Sequence, residues 1–433
     1  MEDDPLFRRT RQHAERRLTF GVTQSAKDRL EQIKEFLRLE REMLHRYHQK
    51  GDSGLRLTRA RAVIMDVLIQ TLFKWAVFVA NESMGKSKPM CLLATGGYGR
   101  GELSPHSDID IMFLYSRSSI GKPLDNLKEI MTREILYPLW DAGLKVGHAS
   151  REIKEALTES QKDIRNKNSM LDARFVCGDR KISKKFIDNF FKFCRKNQPA
   201  QYLNELLKHQ LERRDGKGNT VFLQAPDVKN GVGGLRDFQG ILWMAKVKFN
   251  IENLHGLIGK KYLTEQEANS FEDAYSFLLR VRNELHFRSS RPVDILHLEK
   301  QPEIALGLGY PQEDIFRRVE VFMGDYYSKA QTIHQISGIL EERLVRANSG
   351  NTSKLSFKNV LKAYRAAPVQ KVDGFDLRED FLSSSDPDIF DEDPERMIRL
   401  FRHAQRLNVR LSPDLRALVR NRLSLIDSSL INS

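Results

Sequence analysis

Cysteine, long apolar runs and internal repeats are scarce or absent in this chain of 433 residues. The three cysteines, Cys91, Cys177 and Cys194, form no Cys-x-x-Cys pair and lack a histidine spacing suited to zinc. An odd set of separated cysteines argues against a disulfide framework and predicts reduced thiols, as in the cytoplasm. No uninterrupted apolar run approaches eighteen residues, so the sequence predicts no membrane span.

What the chain does have is positive charge and helical periodicity. The net charge of +13 is compatible with an anionic partner, such as a nucleotide, a nucleic acid or an acidic protein, and equally with a solvated Lys/Arg-rich surface. Amphipathic helices are predicted over residues 25–48 and 57–80, and again near 124–142. Runs of strand length occur at residues 90–95 and 109–115, a third strand is predicted near 144–150, and after Arg151 the chain reads as helical almost to its end. The fold class predicted is α+β, predominantly helical, with a small mixed β-sheet embedded in helical domains.

Two carboxylates stand inside one of the apolar runs, in the stretch GGYGRGELSPHSDID (residues 96–110). Residues i and i+2 of a strand share a face, so Asp108 and Asp110 project together while Ile109 and Ile111 are buried on the other side. Two convergent carboxylates repel each other unless a cation lies between them. Mg²⁺, with Mn²⁺ as an alternative, is the natural occupant, because it accepts one or two carboxylates and completes its shell with water and phosphate oxygens.

The glycines of the same stretch complete a nucleotide site. Gly96 and Gly97 let the chain leave a strand sharply and let backbone N–H groups approach a triphosphate, with Arg100 or Ser107 in support. Either feature alone is typical of a β-turn or of an edge strand with outward aspartates. Their combination at this spacing predicts a site in which bound metal ions activate an attacking oxygen and stabilise departing pyrophosphate.

A second glycine-rich stretch, APDVKNGVGGLRDFQGILWMAKVKF, covers residues 225–249. Lys229 offers a point charge for phosphate and Arg236 a planar fork, while Gly233 and Gly234 free the backbone. Asp237 would cap the following helix or orient Arg236. Taken alone, the stretch is equally typical of a helix-entry loop with a solvated ion pair.

Both stretches resemble known signatures. The first resembles the nucleotidyltransferase superfamily that includes DNA polymerase beta, and its fuller form is similar to the PII-protein uridylyltransferases and the glutamine-synthetase adenylyltransferases. The second favours the uridylyltransferase branch, because Phe238-Gln239 stands where the adenylyltransferases carry a different sequence. Further similar segments occur in order between about residues 50 and 425, including MLDARFVCGD (170–179) and LLRVRNELHFRSSRPVDIL (278–296).

The resemblance implies a nucleotidyltransferase core and a function. A nucleoside monophosphate, UMP from UTP, would pass to a tyrosine of the PII nitrogen-regulatory protein with release of pyrophosphate. Asp108 and Asp110 would be catalytic and hold the metal. The nucleotide would be bound by Gly96, Gly97, Arg100, Ser107, Lys229, Gly233, Gly234, Arg236 and Asp237. The domains implied are an N-terminal helical region (1–85), the nucleotidyltransferase core (86–182), a helical uridylyltransferase-type domain (183–345) and a C-terminal helical segment (346–433).

The family pattern also has departures in this chain. Sites of this type commonly carry a third carboxylate on a later strand, whereas the strand near residues 144–146 has none. Asp172 is the candidate for the third acid, with a helix-capping or Arg174-paired aspartate as the alternative interpretation.

Other features bear on the extent of the activity. In the family a phosphohydrolase domain with a His-Asp doublet and two ligand-sensing ACT domains follow, but this chain has no His-Asp dipeptide. We therefore expect no uridylyl-removing activity, and the chain is either a fragment or a natural short form. An RNA end or a small molecule as acceptor, and a nucleotide-binding module without turnover, stay open as alternative functions.

Overall fold

The structure is a computed structural model with two compact units, residues 1–345 and 346–433. It describes residues 4–84, 89–115, 122–196, 199–346, 370–378, 381–384, 386–407, 409–412, 415–416, 418–419 and 422–425.

The first unit is mostly helical. Its helices, in chain order, are α1 (Pro5–Arg17), α2 (Ala26–Gln49), α3 (Gly54–Met84), α4 (Gly96–Gly99), α5 (Lys122–Met131), α6 (Tyr137–Asp141), α7 (Ile153–Lys162), α8 (Ile164–Leu171), α9 (Arg180–Lys196), α10 (Pro199–Asp215), α11 (Leu235–Phe249), α12 (His255–Gly259), α13 (Glu265–Phe287), α14 (Gln301–Gly307) and α15 (Ile315–Arg346). A π-helical turn, Thr132–Leu136, joins α5 to α6, and a 3₁₀ turn, Leu298–Lys300, precedes α14.

One mixed sheet lies among these helices. Its strands β1 (Met90–Ala94), β2 (Ile109–Tyr115), β3 (Val146–Glu152) and β4 (Arg174–Gly178) are arranged in the order β3-β2-β1-β4. β1 is antiparallel to both β2 and β4, and β2 is parallel to β3. The α+β, mostly helical class with a small mixed sheet is therefore confirmed.

The alternation of buried residues along β1 and β2 explains why the sheet has helices on both faces. Leu92, Ile109 and Ile111 belong to one core cluster, which also contains residues of α1, α2 and α3. Leu93 and Met112, one residue away in each strand, belong to a second cluster with residues of α9, α10, α11, α13 and α15. Apolar residues on successive positions of a strand require cover on both sides of the sheet.

α3 is the most apolar helix of the first unit. By length and composition alone, residues 54–83 could cross a membrane, with a mean hydropathy of 1.8 over the most apolar stretch. The core helix of a globular domain meets the same criterion. In this structure α3 packs against α1, α2 and α13, and Leu68, Ile69 and Ala76 are completely buried.

The second unit has its own small core. Strands β5 (Gln370–Val372), β6 (Phe375–Arg378), β7 (Phe381–Ser383) and β8 (Arg410–Leu411) form a sheet in chain order, with helices α16 (Ile389–Glu392) and α17 (Arg396–Leu407). Phe375, Phe390 and Leu400 are completely buried there.

Two expectations about secondary structure were wrong. The chain after Arg151 was expected to be helical, but β4 completes the main sheet, and β5 to β8 interrupt the segment predicted as helical at residues 346–433. The helix predicted over 124–142 is divided by the π-helical turn. A five-residue apolar strand and a turn of a buried helix have similar compositions. Because predicted helices flank β4 on both sides, its sequence could not be recognised as a strand.

Candidate active site

Asp108 and Asp110 lie at the start of β2, at the edge of the helical layers. Ile109 and Ile111 are 1% and 2% exposed, so the alternation leaves the two aspartates on the opposite side, as predicted. Asp108 is exposed, and the Nζ of Lys145 lies 3.0 Å from its Oδ1. The positive charge of Lys145 stabilises the ionised form of Asp108 next to the second carboxylate, Asp110.

Asp110 lies in a cavity left by two glycines. It pairs with Gly147 of β3, and a Cβ on Gly147 would come within 2.5 Å of its Oδ1. A Cβ on Gly96 would lie 3.3 Å from its Oδ2. Burial raises the pKa of Asp110, the charge of Asp108 raises it further, and the charges of Lys145 and Lys229 oppose the change. The two carboxylates therefore repel each other, which a bound divalent ion would relieve.

The donor set at this position is compatible with a hard divalent ion. Two carboxylates with open solvent beside Asp108 suit Mg²⁺ or Mn²⁺, which keep several waters and bind phosphate oxygens. Within the described ranges, no group of three or more His, Cys, Asp or Glu side chains is arranged to hold a metal. Among the described residues, the metal site would therefore have two protein ligands, Asp108 and Asp110.

The glycine turn between β1 and β2 is held against β2. The N–H of Thr95, which precedes α4, donates to the backbone oxygen of Asp110 at 2.9 Å. Gly96 has φ +55°, the left-handed region that favours glycine, and a Cβ on Gly99 would overlap the backbone oxygen of Asp172. The first amides of a helix have no intrahelical acceptor, so Gly96 and Gly97 present donors beside the carboxylates.

The second glycine-rich stretch reaches the first. Burial lowers the pKa of Lys229, as does the charge of Arg282, while Asp294 and Asp108 act in the opposite direction. Lys229 in turn lowers the pKa of Asp110. The predicted phosphate-binding lysine and the acid pair, more than a hundred residues apart in sequence, are therefore within electrostatic reach of each other.

Arg236, the first-turn arginine of α11, is a cation that is largely shielded from solvent. Burial lowers its pKa to about 10, and the neighbouring charge of Arg100 contributes. Its Nη1 donates to Oε1 of Gln239 at 3.0 Å, and its guanidinium lies 5.6 Å from the Trp243 ring centroid. No carboxylate of the described residues lies within ion-pair distance of it. A buried guanidinium without a counter-charge is costly, and an anionic ligand would remove that cost.

Arg100 and Asp172 have a different arrangement from the one predicted. They form an ion pair with each other, and the indole Nε1 of Trp243 donates to both oxygens of Asp172 at 3.1 and 3.0 Å. Arg174, the alternative partner considered for Asp172, pairs with Asp66 instead. Asp172 is therefore engaged as a buried counter-charge, and its role as the third catalytic acid stays a prediction without support from its contacts. The same holds for direct triphosphate binding by Arg100.

A continuous chain of hydrogen bonds joins the two glycine-rich stretches. The Nε of Arg100 donates to Glu102 at 3.1 Å, and the hydroxyl of Tyr275 in α13 donates to the same carboxylate at 2.6 Å. The amide nitrogen of Gln239 donates to the Tyr275 hydroxyl at 2.9 Å, and its amide oxygen accepts from Arg236. The positions of the two stretches are thereby coupled through buried polar contacts.

Gly233, Gly234 and Asp237 make contacts that hold the loop itself, and their predicted contact with nucleotide stays a prediction without support from these contacts. Gly233 has φ +69°, and a Cβ there would overlap the backbone oxygen of Ala330 in α15. Its N–H donates to Asp237 at 2.8 Å, and the N–H of Gly234 donates to Gly231 at 3.0 Å. Both amides are used within the protein.

Asp237 is completely buried and is also in contact with two arginines of α10. The side chains of Arg213 and Arg214 donate to its Oδ1. It therefore fixes the loop against α10, and it does not orient Arg236.

Ser107, Arg282 and Asp294 form the last part of the site. The Nη1 of Arg282 lies 3.4 Å from Ser107 Oγ, and its Nε donates to Asp294 at 2.7 Å. Ser107 is thus held by an arginine, where the sequence predicted contact with the triphosphate. Sequence reasoning passed over Arg282 and Asp294, although both lie in the segment LLRVRNELHFRSSRPVDIL that supported the resemblance.

Comparisons with known proteins agree with this arrangement. Residues 201–341 match the family described as GlnD PII-uridylyltransferase, and residues 39–145 match the putative nucleotidyltransferase family DUF294. The mixed sheet and these matches agree with the nucleotidyltransferase class.

Curated relatives identify the branch. A bifunctional uridylyltransferase/uridylyl-removing enzyme of Nitrobacter winogradskyi is 34% identical over 346 residues, which cover 79% of this chain and 36% of the relative. Enzymes of the same description from a Bradyrhizobium species and Caulobacter vibrioides are 31% and 33% identical, over 88% of this chain in each case and over 41% and 40% of the relatives. The chain belongs to the PII-uridylyltransferase family and spans about two fifths of the length of these relatives.

Proposed function

We propose that this chain transfers UMP from UTP to a tyrosine of a PII-type signalling protein and releases pyrophosphate. One observation carries the proposal: the acid pair, Asp108 and Asp110, lies within electrostatic reach of Lys229, whose carbonyl accepts the N–H of Arg236 at 3.0 Å. A metal-bound triphosphate has complementary charges, because its metal needs carboxylates and its phosphates need cations. The donor and the acceptor are taken from the names of the relatives.

The chain's own residues divide the work of the reaction. Asp108 and Asp110 would hold Mg²⁺, or Mn²⁺, which supplies charge stabilisation at the attacking and leaving oxygens. Lys229 and Arg236 bind the β- and γ-phosphates and neutralise the charge that develops on pyrophosphate as it leaves. Both cations are partly shielded from solvent, which strengthens this interaction because fewer waters compete for the phosphate oxygens.

The acceptor hydroxyl attacks the α-phosphorus while the bond to the bridging oxygen of pyrophosphate breaks. The hydrogen bond from Thr95 holds the backbone of Asp110, and the missing side chains of Gly96 and Gly147 leave room for its carboxylate. Gly96 and Gly97 present backbone donors to the phosphates next to it.

The test is transfer of label from each of the four nucleoside triphosphates, labelled at the α-phosphate, to a PII protein in the presence of Mg²⁺. We expect label on PII from UTP, and the double variant Asp108→Asn, Asp110→Asn should lose at least about a thousandfold in rate while remaining folded. The matched control is Glu35→Gln, Glu42→Gln, which also removes two carboxylates, here from an exposed ion pair with Arg38.

Three outcomes would contradict the proposal. Transfer by the aspartate double variant at the wild-type rate would reject the assigned site. Label on an RNA end would replace the PII acceptor with a nucleic acid, and such binding should weaken steeply between about 50 and 200 mM salt. Binding of UTP without any release of pyrophosphate would identify a binding module.

A further inference from the structure

Asp294 lies in the loop after α13 and is approached by three donors. The Nε of Arg282 donates to its Oδ1 at 2.7 Å, and the Nε2 of His286 lies 3.4 Å from the same oxygen. The Nζ of Lys229 lies 3.6 Å from its Oδ2. Burial raises the pKa of Asp294, but His286 and the charge of Arg282 outweigh it and hold the pKa well below the ordinary value. Asp294 is therefore a charged carboxylate shared between α13 and the Lys229 loop.

The two donors from α13 also hold the segment immediately before Asp108. Arg282 reaches Ser107 through Nη1 at 3.4 Å. His286 accepts the backbone N–H of His106 on Nδ1 at 3.1 Å, so a neutral ring carries its proton on Nε2, the atom that faces Asp294. Arg282 thus connects Asp294 to the segment that ends in the acid pair, and His286, bonded to His106, lies 3.4 Å from Asp294 without a hydrogen bond to it.

The backbone of Asp294 holds the segment that carries Lys229. Its carbonyl accepts the N–H of Val228 at 2.8 Å, and the N–H of Leu296 donates to Pro226 at 2.9 Å. These two bonds form a short ladder that holds the residue next to Lys229. One residue therefore contacts both the segment before Asp108 and the segment that carries Lys229.

We propose that Asp294 is a positioning residue that sets the separation between the acid pair and Lys229, acting through Arg282 and His286 on one side and through its own backbone and carboxylate on the other. It touches no reacting atom. Its consequence for catalysis rests on the proposed function, whereas its mechanical role does not.

The first test is kinetic and uses Asp294→Asn, which keeps the size of the side chain and removes its charge. Without that charge Lys229 and Arg282 repel each other, so the lysine leaves the phosphate site. We expect KM for UTP to rise at least about tenfold and kcat to fall less than about threefold, because Lys229 binds phosphate before as well as during the reaction.

Two further variants separate positioning from general stability. Asp294→Glu restores the charge and should return KM to within about threefold of wild type. Glu303→Gln removes one of the two carboxylate partners of Arg288, the residue that follows α13, whose Nη1 donates to Glu303 at 2.9 Å on the surface. It should leave both constants unchanged. An equal rise in KM for Glu303→Gln, or no rise for Asp294→Asn, would overturn the proposal.

The second test needs no substrate. Amide hydrogen exchange of Asp294→Asn should be at least about tenfold faster in both segments, 104–108 and 226–231, with Glu303→Gln as the control. Faster exchange in both segments supports the proposal even if the wild-type chain neither binds nor transfers UTP, a result that would reject the proposed function alone. Unchanged exchange, or faster exchange in only one segment, overturns it. Should Asp294→Asn fail to fold, Arg282→Lys tests the same connection between Asp294 and Ser107. It keeps the positive charge but removes the guanidinium that contacts both residues.

Discussion

At the scale of single residues, two largely shielded arginines beside the same tryptophan have opposite electrostatic environments. Arg100 pairs with Asp172, whereas no carboxylate of the described chain lies within ion-pair distance of Arg236. Breaking a buried ion pair costs about 3–5 kcal/mol, whereas removing an uncompensated buried charge is neutral or stabilising. A functional cation should therefore be recognisable by what its loss does to stability.

The first prediction compares Arg236→Met with Arg100→Met. Arg236→Met should leave the free energy of unfolding unchanged or raise it, and weaken UTP binding at least about tenfold. Arg100→Met should lower the free energy of unfolding by about 3–5 kcal/mol, because Asp172 is left buried without a counter-charge. Urea denaturation and titration calorimetry with UTP measure the two quantities. A clear loss of stability in Arg236→Met would contradict the interpretation of Arg236 as a ligand-binding cation.

The second prediction concerns the pH dependence of stability at Asp110. Its pKa is raised in the folded state, chiefly by burial and then by Asp108, so the ionised form is less favourable folded than unfolded. Asp110→Asn should therefore be more stable than wild type near pH 7 without divalent ions, and the difference should vanish below the ordinary aspartate pKa. Mg²⁺ should also reduce the difference at pH 7, since only the wild type keeps both carboxylates. Thermal unfolding across pH, with and without Mg²⁺, measures both effects. An equal gain in stability of Asp110→Asn at pH 3 would contradict the prediction.

The third prediction uses Gly147, opposite Asp110. A Cβ in Gly147→Ala would come within 2.5 Å of the carboxylate, so Asp110 must move. Because a displacement near 1 Å can cost about a hundredfold in rate, we expect a loss of that order in transfer. Gly324→Ala in α15 is the control, since its Cβ meets nothing within 4 Å, and its rate should not change. Equal rates for the two variants would show that Asp110 does not need this space.

Spacing in the sequence predicted Asp108, Asp110, Lys229 and Arg236 as site residues, because each lies within a short stretch whose chemistry is local. It could not identify the contacts between stretches. Glu102 and Tyr275 are hydrogen-bonded across 173 positions, and no periodicity relates them. The packing role of Gly233 could not be predicted for the same reason, since its close approach to Ala330 exists only in the folded chain.

At the scale of elements, the glycine loop before α11 is fixed by its approach to α15. The fourth prediction is that Gly233→Ala lowers the free energy of unfolding by at least about 2 kcal/mol, because φ is +69° and the new Cβ would overlap Ala330. Affinity for UTP should fall with it, as Lys229 is carried by the same loop. Gly338→Ala, in α15 with nothing within 4 Å of its Cβ, should gain about 0.5–1 kcal/mol. Chemical denaturation of both variants decides, and a stable Gly233→Ala would refute the packing argument.

The elements that the sequence predicted well are those with a long periodic pattern. α2 and α3 have apolar residues at helical spacing over more than twenty positions, and β1 and β2 are bounded by glycine and polar residues. β4 and the strands of the second unit have two to five residues each, too few for a period to be distinguished.

At the scale of the whole molecule, the described site residues all lie in the first unit, together with both of its core clusters. The fifth prediction is that a chain ending at Val345 folds and binds UTP with the affinity of the full chain. Circular dichroism, thermal unfolding and calorimetry test it, with the Arg236→Met variant of the same shortened chain as the non-binding control. Aggregation, or a loss of affinity greater than about threefold, would show that the second unit is required.

The buried chain of contacts from Arg100 through Glu102, Tyr275 and Gln239 to Arg236 has a consequence for how such enzymes diverge. A substitution at either end leaves a polar side chain without its hydrogen-bond partner. The two glycine-rich stretches are therefore expected to change together. A substitution at Gln239 would therefore need a compensating change at Tyr275 or Glu102, residues far apart in the gene.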